Sequence, residues 1–529
     1  MKRCWSSAVR VLVGVALWCT ATPSASAQDN PWQLAVQASG AMDDWDYVTA
    51  RTHLDALNAG WADHPATAWV QGEWLFHHGE YDAAVEALDA AVEGGAPERV
   101  AELRDLVADT RDVTADYATY VTADGLFEIR YDARRDAVLI PWAEATLEGA
   151  YYEIGYDIGY WPEPPIRVEI YPRSSTLART SSLTEEAIQT SGTIALCKYN
   201  KLMFTSPRAT ARGYGWRDTL SHEYVHYAVA HLTQRDLPIW LHEALAKYLE
   251  GRWTGSRDMH LEPSREDLLG ERIEAGTLIT FEQMHPSMAY LPSPEDASTA
   301  YSQVFTIMEF VVQRRGPAAI RELLYRLKDG AELELAFEAT FGEDFETFER
   351  TWMAWLAERP RVEVPGSFQE EIQLISDSGD GPDVDELAGV GSVEAREHLR
   401  LGELLRGRGH VDASIVEYEK AETLVGNANP ILQNALARAR LDLADPDGAL
   451  NALEDVRGWH PDFYPLHLHH GEALLGLGRP REALDSLEAA VGINPFDPAV
   501  HHQLARAFEA VGSTELAARA REHATAVAR

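Results

Sequence analysis

Cysteine is nearly missing from this chain, with three in 529 residues at positions 4, 19 and 197. Two of them fall within the first 27 residues, a segment read below as removed, so Cys197 would stand alone and no intramolecular disulfide could form. Basic residues are also scarce: 46 Lys and Arg face 84 Asp and Glu, a formal net charge of −38. Such a surface repels phosphate backbones and anionic lipid heads, which argues against a nucleic-acid partner. The apolar run from Val11 to Trp18 falls short of the roughly 18 residues a spanning helix needs, and no later run reaches that length, so the mature chain is expected to have no membrane span. Low-complexity tracts are absent too. The 46% hydrophobic and 25% charged composition is that of a folded globular chain, and its length implies roughly two to four domains.

Lys2, Arg3 and Arg10 precede the apolar run, and a small-residue stretch follows, ending Ala25-Ser26-Ala27. That is the layout of a secretory signal peptide cleaved after Ala27. Bulky Trp18 before Cys19 argues against a lipoprotein signal. Export without disulfides fits a bacterial periplasm or extracellular release, so the expected localisation is secreted or periplasmic.

The C-terminal part is periodic. Small residues recur at Gly402, Ala437, Gly471 and Ala505, then twelve positions on at Ser414, Ala449, Ala483 and Ala517. Seven further on come Ala421, Val456, Ala490 and Ala524, and Pro461 and Pro495 each close a unit. A period near 34 with small residues where paired helices meet resembles the tetratricopeptide repeat, a helix–turn–helix module. The same spacing occurs at Gly72, Ala84 and Ala91, with a weaker unit around Ala38, Ala50 and Leu57.

Between these regions the pattern changes. LFEIRYD (126–132) and IRVEIYP (166–172) alternate as half-buried strands do, and TSGTIALCKYNKLMFTSP (190–207) reads as two short strands or one long bent one. Helical segments follow, so the middle is expected to be α+β, a small antiparallel or mixed sheet with helices. The expected division is a signal peptide at 1–27, a helical repeat region at 28–110 and an α+β domain at 111–365. An acidic Gly-rich linker at 366–392 then precedes repeats at 393–529.

The chemistry centres on SHEYVH (221–226). Residues four apart on a helix differ by about 40° in direction, so His222 and His226 share a face and could bind one zinc ion. Glu223 stands alongside as a general base rather than a ligand. A catalytic zinc needs a third ligand and one open position. After His226, the polar TQRD makes a turn and Pro238 suits the start of a returning helix, which would bring Glu243 back beside the histidines. The other candidates are weaker: Val229 and Leu232 stand where a metzincin has Gly and His, His231 is out of register, and His242 faces about 100° away from Glu243. Cys197 has no motif around it and reads as a buried thiol.

HEYVH followed by LPIWLHEALAKYLEG resembles the gluzincin branch of zinc peptidases, and more specifically the peptidase MA-like proteins; SPRATARGYGWRDTL, leading into the motif, adds to the likeness. The resemblance covers about residues 126 to 362. It implies a zinc-dependent hydrolase with Tyr301 as an oxyanion donor, and an edge strand upstream of the motif that pairs with extended substrate. One departure is Lys247, four after Glu243, where thermolysin-like enzymes carry an Asp that braces a ligating histidine. The expected function is a secreted zinc metallopeptidase acting on a protein or peptide, with repeats that bind substrate or a protein partner. The alternatives are a non-catalytic repeat scaffold and a zinc amidohydrolase acting on cell-wall amides. If the repeats only recruit substrate, deleting residues 393–529 would lower turnover on a protein far more than on a short peptide.

Overall fold

The computed structural model describes residues 30–235, 237–360, 364, 372–375, 387 and 389–528. The expected signal peptide and most of the expected linker lie outside them. The linker's described stretch at 372–375 pairs with the chain near residue 210: Leu374 bridges Thr210 antiparallel, and Ala211 N–H donates to Gln373 O at 3.0 Å.

The N-terminal region forms two helical hairpins, Pro31–Asp43 with Tyr47–Trp61 and Pro65–His77 with Tyr81–Glu93, then a fifth helix, Glu98–Thr114. That helix runs through the expected boundary at residue 110. The C-terminal region stacks further hairpins: Val393–Gly407 with Val411–Val425, Pro430–Asp442 with Pro446–Trp459, Tyr464–Gly476 with Pro480–Val491, and Pro498–Ala510 with Thr514–Val527. The small-residue positions are where the helices touch. A Cβ on Gly72 would lie 2.6 Å from Leu88 Cγ and one on Gly471 2.7 Å from Leu487 Cγ, while one on Gly402 would run into the Tyr418 ring. Any larger side chain there would push the paired helices apart.

The middle region holds a five-stranded mixed sheet among the described residues, in the order β1-β2-β3-β5-β4. Its strands are β1 (Ala118–Val121), β2 (Phe127–Tyr131), β3 (Ile166–Tyr171), β4 (Ala195–Lys198) and β5 (Lys201–Thr205). β2, β3 and β5 run parallel, and β1 and β4 are antiparallel edges. β1 was not legible as a strand in the sequence, because ATYV is only four residues long and every second residue of it is exposed.

One sheet face packs Phe127, Ile129, Val168 and Phe204 against Leu220, Tyr224, Val225 and Ala228 of the helix carrying SHEYVH. The alternation predicted a second, solvated face. That face is instead covered by the N-terminal hairpins, so Glu169 and Lys201 are buried there. Burial of such charges is tolerable only with partners. Lys201 Nζ donates to Glu169 Oε2 at 2.6 Å, Tyr171 OH donates to the same oxygen at 2.5 Å, and Tyr81 OH, from the second hairpin, donates to Oε1.

Candidate metal centre

The motif helix spans Trp216–Thr233. Its buried face seats Tyr224, Val225 and Ala228 in the core, which leaves His222 and His226 on the opposite side. Gln234, in the left-handed conformation at φ 49, ends the helix by donating its N–H to Ala230 O. Pro238 caps the return helix, Ile239–Leu249, and a 3-10 turn follows at Glu250–Thr254. This is the reversal expected from the sequence, and it places Glu243 against both histidines.

Three donor atoms converge. His222 Nε2 lies 3.2 Å from His226 Nε2 and 3.2 Å from Glu243 Oε2, and His226 Nε2 lies 3.5 Å from the same oxygen. A point equidistant from the corners of that triangle is about 1.9 Å from each, close to the roughly 2.0–2.2 Å of zinc–nitrogen and zinc–carboxylate bonds. Two imidazole nitrogens and one carboxylate oxygen are donor types that suit zinc, and His222, His226 and Glu243 could hold a metal ion.

The rings are oriented from behind. His222 Nδ1 lies 3.0 Å from Glu250 Oε2, which fixes the tautomer that leaves Nε2 free to ligate. Glu250 is in turn held by Lys247 Nζ, which donates to its other oxygen. The absent Asp at position 247 is thus replaced by a carboxylate seven residues after Glu243, with Lys247 as its anchor. His226 Nδ1 faces His242 Nδ1 at 3.3 Å, so His242 supports a ligand without being one. Burial lowers the pKa of His242 to about 3, with the charge of His226 adding to the effect, which keeps it neutral.

The charges around the site are strongly coupled. Burial opposes ionisation of Glu243, yet His226 and His222 hold its carboxyl well below the ordinary range. Burial likewise opposes protonation of His222, but its bonds to Glu243 and Glu250 outweigh that and raise its pKa to about 10, so a metal would bind by displacing the proton from Nε2. Glu223 behaves oppositely: burial raises its pKa, and the neighbouring histidines offset this only in part. Its buried Oε2 has no hydrogen-bond partner, although buried carboxylate oxygens are ordinarily paired. A carboxylate left free beside a metal donor set is available to accept a proton from a water or substrate.

Tyr301, on the helix Pro294–Arg315, brings its ring to 6.4 Å from that of His222. Burial, followed by the charges of Glu243 and Glu223, raises its pKa well above the usual value, so it is a hydrogen-bond donor. His231 points away from the site and bonds Asn200 Oδ1 at 2.9 Å. Cys197, expected to be buried, is half-buried on edge strand β4, and burial raises its thiol pKa well above the usual value. Glu250 was the residue sequence reasoning missed by name. The signal for it was the Lys247–Glu250 spacing, which brings the two charges together one helical turn apart.

The sheet, the motif helix and its returning glutamate define a domain with an HExxH…E donor set that could hold a metal ion. Residues 147–358 form a domain of the Peptidase MA superfamily, and residues 440–507 match the tetratricopeptide repeat. Among solved structures the chain is similar to MamA MSR-1 C2, at 27% identity over 25% of this chain and 76% of that one, with a TM-score of 0.23. It is also similar to MamA 41-end from Desulfovibrio magneticus RS-1, at 19% identity over 26% and 76%, with a TM-score of 0.24. The APC/C hetero-tetramer Cut9-Hcn1 covers 94% of this chain and 79% of its own at 9% identity, with a TM-score of 0.27. No curated protein matches the chain.

Proposed function

We propose that this protein is a secreted or periplasmic zinc metallopeptidase, exported by a signal peptide cleaved after Ala27, that hydrolyses peptide bonds in a protein or peptide substrate. The observation that carries the reading is the convergence of His222, His226 and Glu243 beside a buried Glu223 whose Oε2 has no partner. Zinc held by the three ligands would supply Lewis-acid activation of a water and of the scissile carbonyl. Glu223 takes a proton from the attacking water and delivers one to the leaving amine. Tyr301 donates a hydrogen bond to the oxygen on which charge develops. Edge strand β4 lies next to the motif helix and can pair with an extended substrate backbone, as other exposed sheet edges do. The repeats offer a surface for a protein substrate or partner, and no described helix is long and apolar enough to cross a membrane.

The test is peptide-bond hydrolysis by the zinc-loaded full chain on protein, short-peptide and muropeptide substrates. Cleavage of the first two supports the reading. Cleavage of the muropeptide alone would replace it with an amidohydrolase acting on cell-wall amides. Zinc binding without turnover on any of the three would favour a repeat scaffold.

A further inference from the structure

The motif helix is held at both ends by the helical repeats. At its first turn, Gly215 is the N-cap and makes no side-chain cap hydrogen bond. The C-terminal repeats come in here. Tyr214 N–H donates to Ile493 O at 3.1 Å, and the indole Nε1–H of buried Trp216 donates to Val491 O at 3.1 Å. Asp462, before the third C-terminal hairpin, puts Oδ1 2.9 Å from where a Cβ on Gly215 would sit. Gly213, at φ +80, lies so close that a Cβ would run into Ile493 O. Arg208 stacks over Phe496 at 5.1 Å, and Arg212 over Phe463 at 5.8 Å.

At the last turns the N-terminal hairpins do the same. Trp45, in the turn between the first two helices, packs edge-on against Tyr227 and His231 at 5.6 and 5.2 Å, and Tyr47 stacks on His231 at 5.8 Å. Asn200, in the β4–β5 turn at φ 56, ties these parts together. Its Oδ1 accepts from Tyr227 OH at 3.1 Å and pairs with His231 Nε2 at 2.9 Å, while its Nδ2 donates to His77 O at 3.3 Å.

His222 and His226 lie between these two holds, and their ligand atoms must meet Glu243, which arrives on a separate helix. A small shift of the motif helix along its axis would spread that triangle, and a spread of a few tenths of an ångström exceeds the tolerance of about 0.2 Å on zinc ligand distances. We propose that both repeat regions are seats for the motif helix, with Trp216 and Asn200 as positioning residues that hold His222 and His226 in register with Glu243. This rests on the zinc reading above. In this arrangement the C-terminal repeats serve hydrolysis of even the smallest substrate, beyond any recruiting role.

The experiment uses four full-length variants. Gly213→Ala wedges the C-terminal repeats away, and Asn200→Gly releases the other end while tolerating positive φ. Asn200→Asp keeps the oxygen that faces Tyr227 and His231 but loses the donor to His77 O, and is a partial rescue. Leu399→Ala, in the core of the first C-terminal hairpin and in a cluster separate from the residues that meet the motif helix, controls for general loss of stability. The readouts are hydrogen exchange of amides 220–229 in metal-free protein, cobalt affinity and the visible spectrum of the cobalt form, and kcat against KM on a short peptide. Gly213→Ala and Asn200→Gly are expected to speed exchange in the motif helix, to weaken cobalt binding about tenfold with an altered spectrum, and to lower kcat with little change in KM. Asn200→Asp should restore exchange protection and affinity in part, above the level of Asn200→Gly. Unchanged exchange and affinity in the first two variants, or equal effects from Leu399→Ala, would overturn the proposal. A wild-type protein that bound no metal would sink the zinc reading and, with it, the positioning of ligands. Faster exchange confined to the motif helix would then still show that the repeats seat it.

Discussion

Glu250 illustrates what could be read at the scale of single residues. His222, Glu223 and His226 were legible because one helical turn sets their relation, and Glu243 because Pro238 and the polar turn announce a returning helix. Glu250 was overlooked, although it ends the return helix in helical conformation about two turns past Glu243 and on the same face, which brings it under His222. If it orients the ligand, Glu250→Ala should weaken zinc binding by about 10–100-fold, as measured by competition with a chromophoric chelator. Unaltered affinity would mean the contact is incidental. Glu223→Gln separates chemistry from binding. It should retain zinc while kcat falls by about 10²–10⁴-fold, and full turnover by a zinc-replete variant would remove Glu223 from the mechanism.

At the scale of elements, β2 and β3 were visible through their alternation and β4 and β5 as two short strands or one bent one, but the alternation misjudged what covers the sheet. A residue such as Glu169 reads as solvent-facing in IRVEIYP, and only the docking of Tyr81 from a distant hairpin makes it buried. Lys201→Met would leave that carboxylate without its cation, at a cost of about 3–5 kcal/mol in stability, measurable as a lower urea midpoint with unchanged slope. The pair also sets an acid limit. Burial opposes the charge on Glu169, but Lys201 and the two tyrosines bring its folded pKa below the ordinary carboxylate value. A carboxylate depressed in this way contributes stability above its unfolded pKa, about 4.3, and that contribution is lost as pH falls through the lower folded value. Thermal melts should therefore drop steeply below about pH 4 in the wild type. A Lys201→Met variant whose melts matched wild type from pH 3 to 7 would rule out the pair as the cause.

At the scale of the whole molecule, the repeats were legible as a period near 34, yet their place against the rest was not. Trp216 and Val491 stand 275 positions apart, and no spacing rule connects them. The sequence therefore favoured a detachable recruiting module, whereas the structure docks the repeats on the first turn of the motif helix. Removing residues 393–529 would uncover buried Trp216 and leave its indole N–H without Val491 O. The truncated chain is thus expected to lose turnover on a short peptide as well as on a protein. A truncation that kept wild-type kcat on the short peptide would return the repeats to recruitment alone.

The catalytic reading depends on a metal at His222, His226 and Glu243. The most direct test is the zinc content of the purified mature chain after dialysis against a weak chelator. About one zinc per chain, lost when His226 or Glu243 is replaced by Ala, is the predicted result. No zinc, even after reconstitution with excess metal, would contradict the account and leave SHEYVH as helix packing.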